Sequence, residues 1–212
     1  MKNYIVGITT SKSIKYIPKL INILMFPISC LVYIIPRNKR NWVFGSGTGM
    51  NFSDNAKYLF LYCSSENEIN CYWITKNKVL VENLRNDGLK AYYKYSIMGL
   101  WLSISSKVYI YDSRTGCINH FTSAGAYKVS LWHGSPLKTI DRDITVKNNA
   151  FYIGNHTWGL KRYLVRIIMP EWFVVANLMI ATSDKVKGYF NSCLLYTSPS
   201  PRDRTRSRMP SS

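Results

Sequence analysis

Val129-Ser130-Leu131-Trp132-His133-Gly134-Ser135-Pro136-Leu137-Lys138 is the stretch on which the reading of this chain turns. Residues 127–132 alternate β-branched, aromatic and small side chains as a buried strand does. Gly134 and Pro136 then end the run, so His133 falls at the strand's carboxyl mouth. In an open α/β sheet the loops diverge at that edge and leave a crevice where ligands bind. An imidazole in such a place can act as a general base near neutral pH. Ser135 adds a hydroxyl, and Lys138 can face a phosphate. The plainer alternative is a hydrogen-bonded strand-end histidine beside a solvated lysine. The crowding of Trp, His, Gly, Pro and Lys into a few positions favours a site.

Upstream of this stretch the chain alternates strand and helix. Residues 41–44 read as a short strand, followed at once by Gly45-Ser46-Gly47-Thr48-Gly49. A glycine-rich turn between strand and helix can present backbone N–H groups to an anion. Its spacing is neither that of a dinucleotide fold nor that of a P-loop, and a simple tight turn is an equal alternative. Ser53 or Asp54 can cap a helix that runs to residue 62. Further strands are expected at residues 70–75, 90–94, 108–111 and 177–181, with helices at 79–86 and 97–106. The second of these helices is apolar and expected to be buried. The alternation implies βαβ units and a parallel, Rossmann-like sheet in an α/β fold. Asp54 and Asp112 are the carboxylates nearest the strand mouths, where either can orient a substrate hydroxyl or His133, or merely cap a turn. His156 reads as structural, and His120 is left without a role.

Residues 20–35 form a run of sixteen without a charge, preceded by Lys15 and Lys19 and followed by Arg37, Lys39 and Arg40. A spanning helix needs about twenty apolar residues, and this run contains Asn22 and is expected to be broken at Pro27 and ended at Pro36. It reads as an interfacial or re-entrant anchor held by its basic flanks against anionic lipid. A buried helical hairpin is the next alternative and a true span the third. Residues 151–166, which mix aromatics with Lys161, Arg162 and Arg166, offer a second basic aromatic face.

The chain has 212 residues with 28 Lys and Arg against 11 Asp and Glu, a formal charge of +17 that calls for an anionic partner. The basic residues are scattered and match no nucleic-acid-binding motif, so a phosphorylated substrate or an acidic membrane is preferred to nucleic acid. The five cysteines have no CxxC pairing and no metal-ligand spacing with the three histidines. They read as small apolar fillers in a reduced compartment, with no metal and no cofactor expected. Residues 193–212 lose all apolar periodicity and resemble translated sequencing-adapter read-through. The natural chain is therefore expected to stop near residue 192. Removing that tail's four arginines and one aspartate takes +3 off the +17 and leaves +14, so the basic character does not come from the tail.

Trp132-His133-Gly134-Ser135-Pro136-Leu137-Lys138 resembles the Trp-His-Gly-Thr-Pro-Leu-Lys signature of the CDP-glycerol glycerophosphotransferase family, which builds teichoic acids. Ser135 stands where Thr is usual and keeps the hydroxyl. Phe44-Gly45-Ser46 with Asn51-Phe52-Ser53-Asp54-Asn55-Ala56-Lys57-Tyr58-Leu59-Phe60 is similar to a second family stretch, and Tyr72-Trp73-Ile74-Thr75-Lys76-Asn77 to a third. The three occur in family order over residues 42–184. The resemblance implies the N-terminal, acceptor-side domain of a two-domain GT-B transferase whose nucleotide donor sits mainly on the C-terminal domain. The chain is expected to divide into a lead (1–13), a membrane-associating segment (14–40), a Rossmann-like domain (41–192) and the tail (193–212).

The implied reaction moves glycerol phosphate from CDP-glycerol to a hydroxyl on a lipid-linked teichoic acid acceptor and releases CMP. His133 would take the proton. Lys138, Gly45, Ser46, Gly47, Gly49, Ser53, Asp54 and Ser135 would hold substrate or phosphate. The implied location is peripheral, on the cytoplasmic face of the cell membrane. Without a donor domain the chain alone is expected to be inactive. Primase and polymerase, and glycerol and ribitol phosphate, stay open as alternatives within the family. Outside it stand another membrane-associated GT-B glycosyltransferase using a sugar nucleotide, and a non-catalytic basic module that binds membrane.

Overall fold

The computed structural model describes residues 17–134 and 143–193. Ser135, Lys138, the lead and residues 194–212 lie outside them. The core is a six-stranded, fully parallel sheet of β1 (Asn38–Gly45), β2 (Asn70–Thr75), β3 (Ala91–Tyr93), β4 (Ser106–Tyr111), β5 (Tyr127–Ser130) and β6 (Leu178–Met179). The strand order is β3-β2-β1-β4-β5-β6. The chain thus winds outward from β1 in one direction, then crosses back to place β4 on β1's other side. That reversal leaves a crevice between the carboxyl ends of β1 and β4, where the βα loops leave in opposite directions. The pairing is in register from Trp42 opposite Val108 to Gly45 opposite Tyr111, so Ser46 and Asp112 are the first residues past the mouth of each strand.

A parallel sheet is covered on both faces, which is why its strands read as nearly continuous apolar runs. The strand period of two sorts those runs into two cores. Phe44, Trp73, Ile110 and Val129 point to one face, where Ala56, Phe60 and Cys63 of α2 (Asp54–Ser65) and Val81 and Leu84 of α3 (Lys78–Asn86) meet them. Phe60 packs edge-on against Phe44 and Trp73 at centroid separations of 5.3 and 5.4 Å. Val43, Ile74, Tyr109 and Tyr111 point the other way, onto Cys117, Ile118 and Ala126.

Helix starts follow local chemistry in α3, where Asn77 Oδ1 accepts from Leu80 N–H, and in α4 (Ile97–Ser105), where Ser96 Oγ accepts from Gly99 N–H. Ser53 occupies the N-cap position of α2, but its side chain makes no capping hydrogen bond there. Helix α4 corrects the expectation of full burial. Ile97 is 90% exposed and Trp101 58%, whereas Gly99 and Ser103 are buried. The reason is close approach: a Cβ on Gly99 would lie 2.1 Å from the Tyr93 carbonyl oxygen. Gly99, Leu102 and Ser103 therefore face inward, and Ile97, Met98 and Trp101 turn outward.

The first helix, α1 (Ile17–Tyr33), runs through Pro27 instead of breaking there. At 1.5 Å per residue it is about 25 Å long. Leu20, Leu24, Phe26 and Leu31 are exposed along it, and Cys30 is exposed rather than a core filler. Among the described residues no helix is long and apolar enough to cross a membrane. Asn22 Nδ2 donates to the Ile168 carbonyl at 2.7 Å and ties α1 to α6 (Leu160–Ile168), which follows α5 (Ala150–His156). The last helix, α7 (Asp184–Cys193), comes after β6.

One basic flank of α1 is diverted from the surface. The Arg37 guanidinium donates to the carbonyls of Ser103, Ser106, Thr122 and Ala124, fastening the end of α4 to the loop before β5. A guanidinium with that many donors in a fixed fork suits this task better than lysine.

Candidate active site

The described parts of the three stretches with the family-like spelling, scattered through the sequence, meet at the β1/β4 crevice. The turn after β1 is held from all sides. Its Gly47 N–H donates to both carboxylate oxygens of Asp112, at 2.9 and 3.1 Å. The Gly47 carbonyl accepts from Ser113 Oγ at 3.0 Å and from the Cys117 thiol. The Gly49 carbonyl accepts from Thr75 Oγ1 at 2.9 Å and Lys76 N–H at 2.7 Å, both from the third stretch. Gly49 has φ +84° and a Cβ there would meet the Cys117 carbonyl at 2.6 Å, so only glycine fits. The Gly47 and Gly49 N–H groups, the latter donating to the Ser46 carbonyl at 2.9 Å, are thus satisfied within the protein. The turn is a structural clasp, with Asp112 standing where a bound anion would.

Asp112 is 1% exposed. Burial pushes its carboxyl above the usual range, and the Gly47 N–H pulls in the opposite direction. Its backbone carbonyl serves the second function. His133 Nδ1 lies 3.1 Å from Asp112 O. A carbonyl oxygen can only accept, so Nδ1 carries the proton in this contact and the neutral ring's Nε2 is left as the acceptor. His133 is solvent-exposed and stacks on Trp132 with centroids 4.7 Å apart and planes 20° from parallel. With Nδ1 donating to that carbonyl and its plane braced, the imidazole in its neutral form presents Nε2 to receive a proton.

Trp132 has φ +53° and Asp54 φ +58°, the two non-glycine residues in the left-handed region among the described residues. Each such conformation costs on the order of 1–3 kcal/mol and persists only where surrounding contacts impose it. Asn55, at the start of α2, supplies them: its Nδ2 donates to the carbonyls of Trp132 at 3.0 Å and Leu131 at 3.4 Å. Both strained residues line one cavity of about 290 Å³, with His133, Asn55, Thr182 and Phe190. Phe190 of α7 closes its far wall, edge-on to Trp132 at 5.6 Å.

Of the residues the sequence singled out, His133 and Asp54 line this cavity. Ser53 stands beside it, its Oγ donating to Asp54 Oδ2 at 3.2 Å. Gly45 and Ser46 are buried within the clasp, where Ser46 Oγ donates to the Asn51 carbonyl at 2.9 Å. Asn55 and the backbone of Trp132 escaped sequence reasoning. Asn55 lay in a quoted motif, yet nothing local says that an exposed helix-start amide reaches a loop more than seventy residues away. His120 is half-buried, with Nδ1 3.1 Å from Thr115 Oγ1. His156 stacks on Tyr152 at the end of α5. Among the described residues no cluster of His, Cys, Asp or Glu could hold a metal ion.

Strand order and site together define a Rossmann-type α/β domain with a histidine at its switch-point crevice. More narrowly, the chain belongs to the CDP-Glycerol:Poly(glycerophosphate) glycerophosphotransferase family, whose model matches residues 28–183. It is 27% identical over 119 residues to the teichoic acid poly(glycerol phosphate) polymerase of Bacillus spizizenii (strain ATCC 23059 / NRRL B-14472 / W23), a match covering 54% of this chain and 29% of that protein. Among solved structures it is similar to the wall teichoic acid polymerase TagF, with a TM-score of 0.53 at 18% identity, over 86% of this chain and 44% of that one. A variant of TagF soaked with CDPG matches with a TM-score of 0.50 at 16% identity, over 86% and 46%. The fold is accordingly GT-B-like, and the chain spans less than half the length of each of these relatives.

Proposed function

We infer that this chain supplies the acceptor-activating half of a glycerophosphotransferase. It would act on a hydroxyl at the end of a lipid-linked teichoic acid acceptor, with CDP-glycerol as donor and CMP as the leaving product. The observation that carries the reading is His133 at the switch-point crevice, its Nδ1 proton directed at Asp112 O and its Nε2 turned to accept. In the proposed step Nε2 takes the proton from the acceptor hydroxyl as its oxygen forms a bond to the glycerol-bearing phosphorus. The bond from that phosphorus to the bridging oxygen breaks, and CMP leaves with the electron pair. Positioning and charge stabilisation dominate such transfers, so a base contributes only part of the rate. The cavity of about 290 Å³ beside His133 has room for a short polyol end.

The acceptor's lipid gives the exposed apolar faces of α1 and α6 a purpose. Leu160, Tyr163 and Leu164 on α6 are exposed beside Lys161 and Arg162, and Arg162 lies over Trp158 at 5.2 Å. This pattern suits the headgroup boundary of an anionic bilayer, with the protein peripheral on the cytoplasmic face.

The test is transfer of labelled glycerol phosphate from CDP-glycerol by an enzyme containing this domain and a donor-binding domain. His133→Ala is expected to lower transfer by about 10²–10⁴ while the fold is kept. Near-normal transfer by a folded His133→Ala enzyme would remove His133 from the mechanism. Consumption of a sugar nucleotide in place of CDP-glycerol would shift the reading to a glycosyltransferase.

A further inference from the structure

A larger cavity, of about 770 Å³, lies between α1 and the carboxyl ends of β1 to β4, and among the described residues none of those lining it also lines the His133 cavity. Three cations from three different strand ends enter it: Lys76 after β2, Lys94 after β3 and Arg114 after β4. Glu171 is the one carboxylate among the described residues that line it. Lys94 is only 7% exposed, and its ammonium donates to the Gly116 carbonyl at 2.8 Å. An ammonium has three donors, and a buried cation is costly unless it is paired. Burial first and the neighbouring Lys76 charge second lower the Lys94 pKa to about 8, with Glu171 opposing both. The Arg114 guanidinium lies over the rings of Phe151 and Trp172, at 5.2 and 5.8 Å, which fixes its plane. His120 on the same wall is held neutral at pH 7, its pKa lowered to about 4 chiefly by burial and then by Lys128 and Lys94. Among the described residues that line it, the cavity therefore carries three positive charges against one negative.

It adjoins a groove of about 320 Å³, with which it shares Asn22, His120 and Phe121. Phe26, Val174 and Val175 give that groove apolar walls, and Lys128, whose ammonium donates to the Ala126 carbonyl at 3.2 Å, adds a further cation to it. Cations gathered around the cavity, with apolar walls adjoining it, fit an amphiphile whose polar end is a phosphate.

We propose that this cavity is a second anion site, distinct from the His133 crevice, which binds a phosphate-bearing group between Lys76, Lys94 and Arg114. The phosphate can come from a lipid headgroup seated under α1 or from a water-soluble phosphate ester. The inference stands on the cavity's own residues and needs no turnover, so it can fail while the transferase reading survives, and the reverse.

The test is lysine acetylation of the whole chain with acetic anhydride, read residue by residue by mass spectrometry. It is run with inorganic phosphate, with monomeric dihexanoyl phosphatidylglycerol, and with sodium chloride at matched ionic strength. Bound phosphate should slow labelling of Lys76 and Lys94 by about tenfold at ten times its Kd, and leave exposed Lys39 and Lys185 unchanged. Protection by both ligands supports a site that accepts either source, by the lipid alone a headgroup site, and by inorganic phosphate alone a site for a soluble ester. Equal protection by chloride, or none by either ligand, overturns the proposal. In Lys76→Gln, a change at a half-buried position, phosphate should protect Lys94 much less. Undiminished protection there would show that the two lysines do not share a ligand.

Discussion

Asp112 does two things with two different groups. Its carboxylate takes the place of an anion under Gly47 N–H, and its carbonyl orients His133. Asp112→Ala would strip Gly47 of its acceptor in a buried setting, which costs on the order of 1–3 kcal/mol. The expected result is a urea midpoint lowered accordingly with an unchanged slope. Asp112→Asn keeps an acceptor oxygen and should recover most of the loss. A midpoint unmoved by Asp112→Ala would mean that water replaces the carboxylate and that the clasp contributes little.

At the scale of elements, α4 and α1 present the sharpest contrasts between apolar composition and apolar burial. Gly99→Ala separates two effects of opposite sign. In an exposed helix the change would stabilise by about 1 kcal/mol, but here the new methyl meets the Tyr93 carbonyl and overpacking costs about 1–3 kcal/mol. Lower stability is expected in chemical denaturation, and a gain would mean that α4 can lift off the sheet without cost. For α1, the fastening of Arg37 to four carbonyls removes it from the set of residues available to lipid. Lys19, Lys39 and Arg40 are exposed. Replacing these three with Gln should release the chain from anionic vesicles in a sedimentation assay. Binding by the unaltered chain should weaken as salt rises, since attraction between exposed charges is screened. Binding that ignores both salt and the triple replacement would be carried by apolar insertion alone.

On the scale of the whole molecule, burial of basic groups on one face of the sheet sets how stability responds to acid. The folded-state pKa of His120 is lowered from 6.5 to about 4. Between those values the unfolded chain binds the proton and the folded chain does not. Stability therefore rises with pH across that window and is lost as pH falls from 6.5 toward 4. The contribution from this one group is roughly 1–3 kcal/mol, allowing for partial solvent access. His120→Gln should flatten the difference in thermal midpoint between pH 7 and pH 5 relative to the unaltered chain. An equal fall in both proteins would assign the acid sensitivity to other groups.

The sequence by itself determined the alternation of strand and helix, the parallel sheet and the histidine at a strand mouth. Those features rest on local periodicity and on glycine and proline punctuation, which each segment carries without its neighbours. Strand 70–75 and the position of His133 past the end of β5 are legible for that reason. The strand order, the left-handed backbone at Trp132 and Asp54, and Arg37's four carbonyl partners were decided only by the tertiary structure. Each depends on groups distant in the chain: Asn55 reaching Trp132, Asp112 filling the glycine turn, Gly99 letting a helix press on Tyr93. Whether an apolar helix is buried was settled in the same way. Periodicity reports which residues share a face, while close approach of backbone to backbone decides which face turns inward.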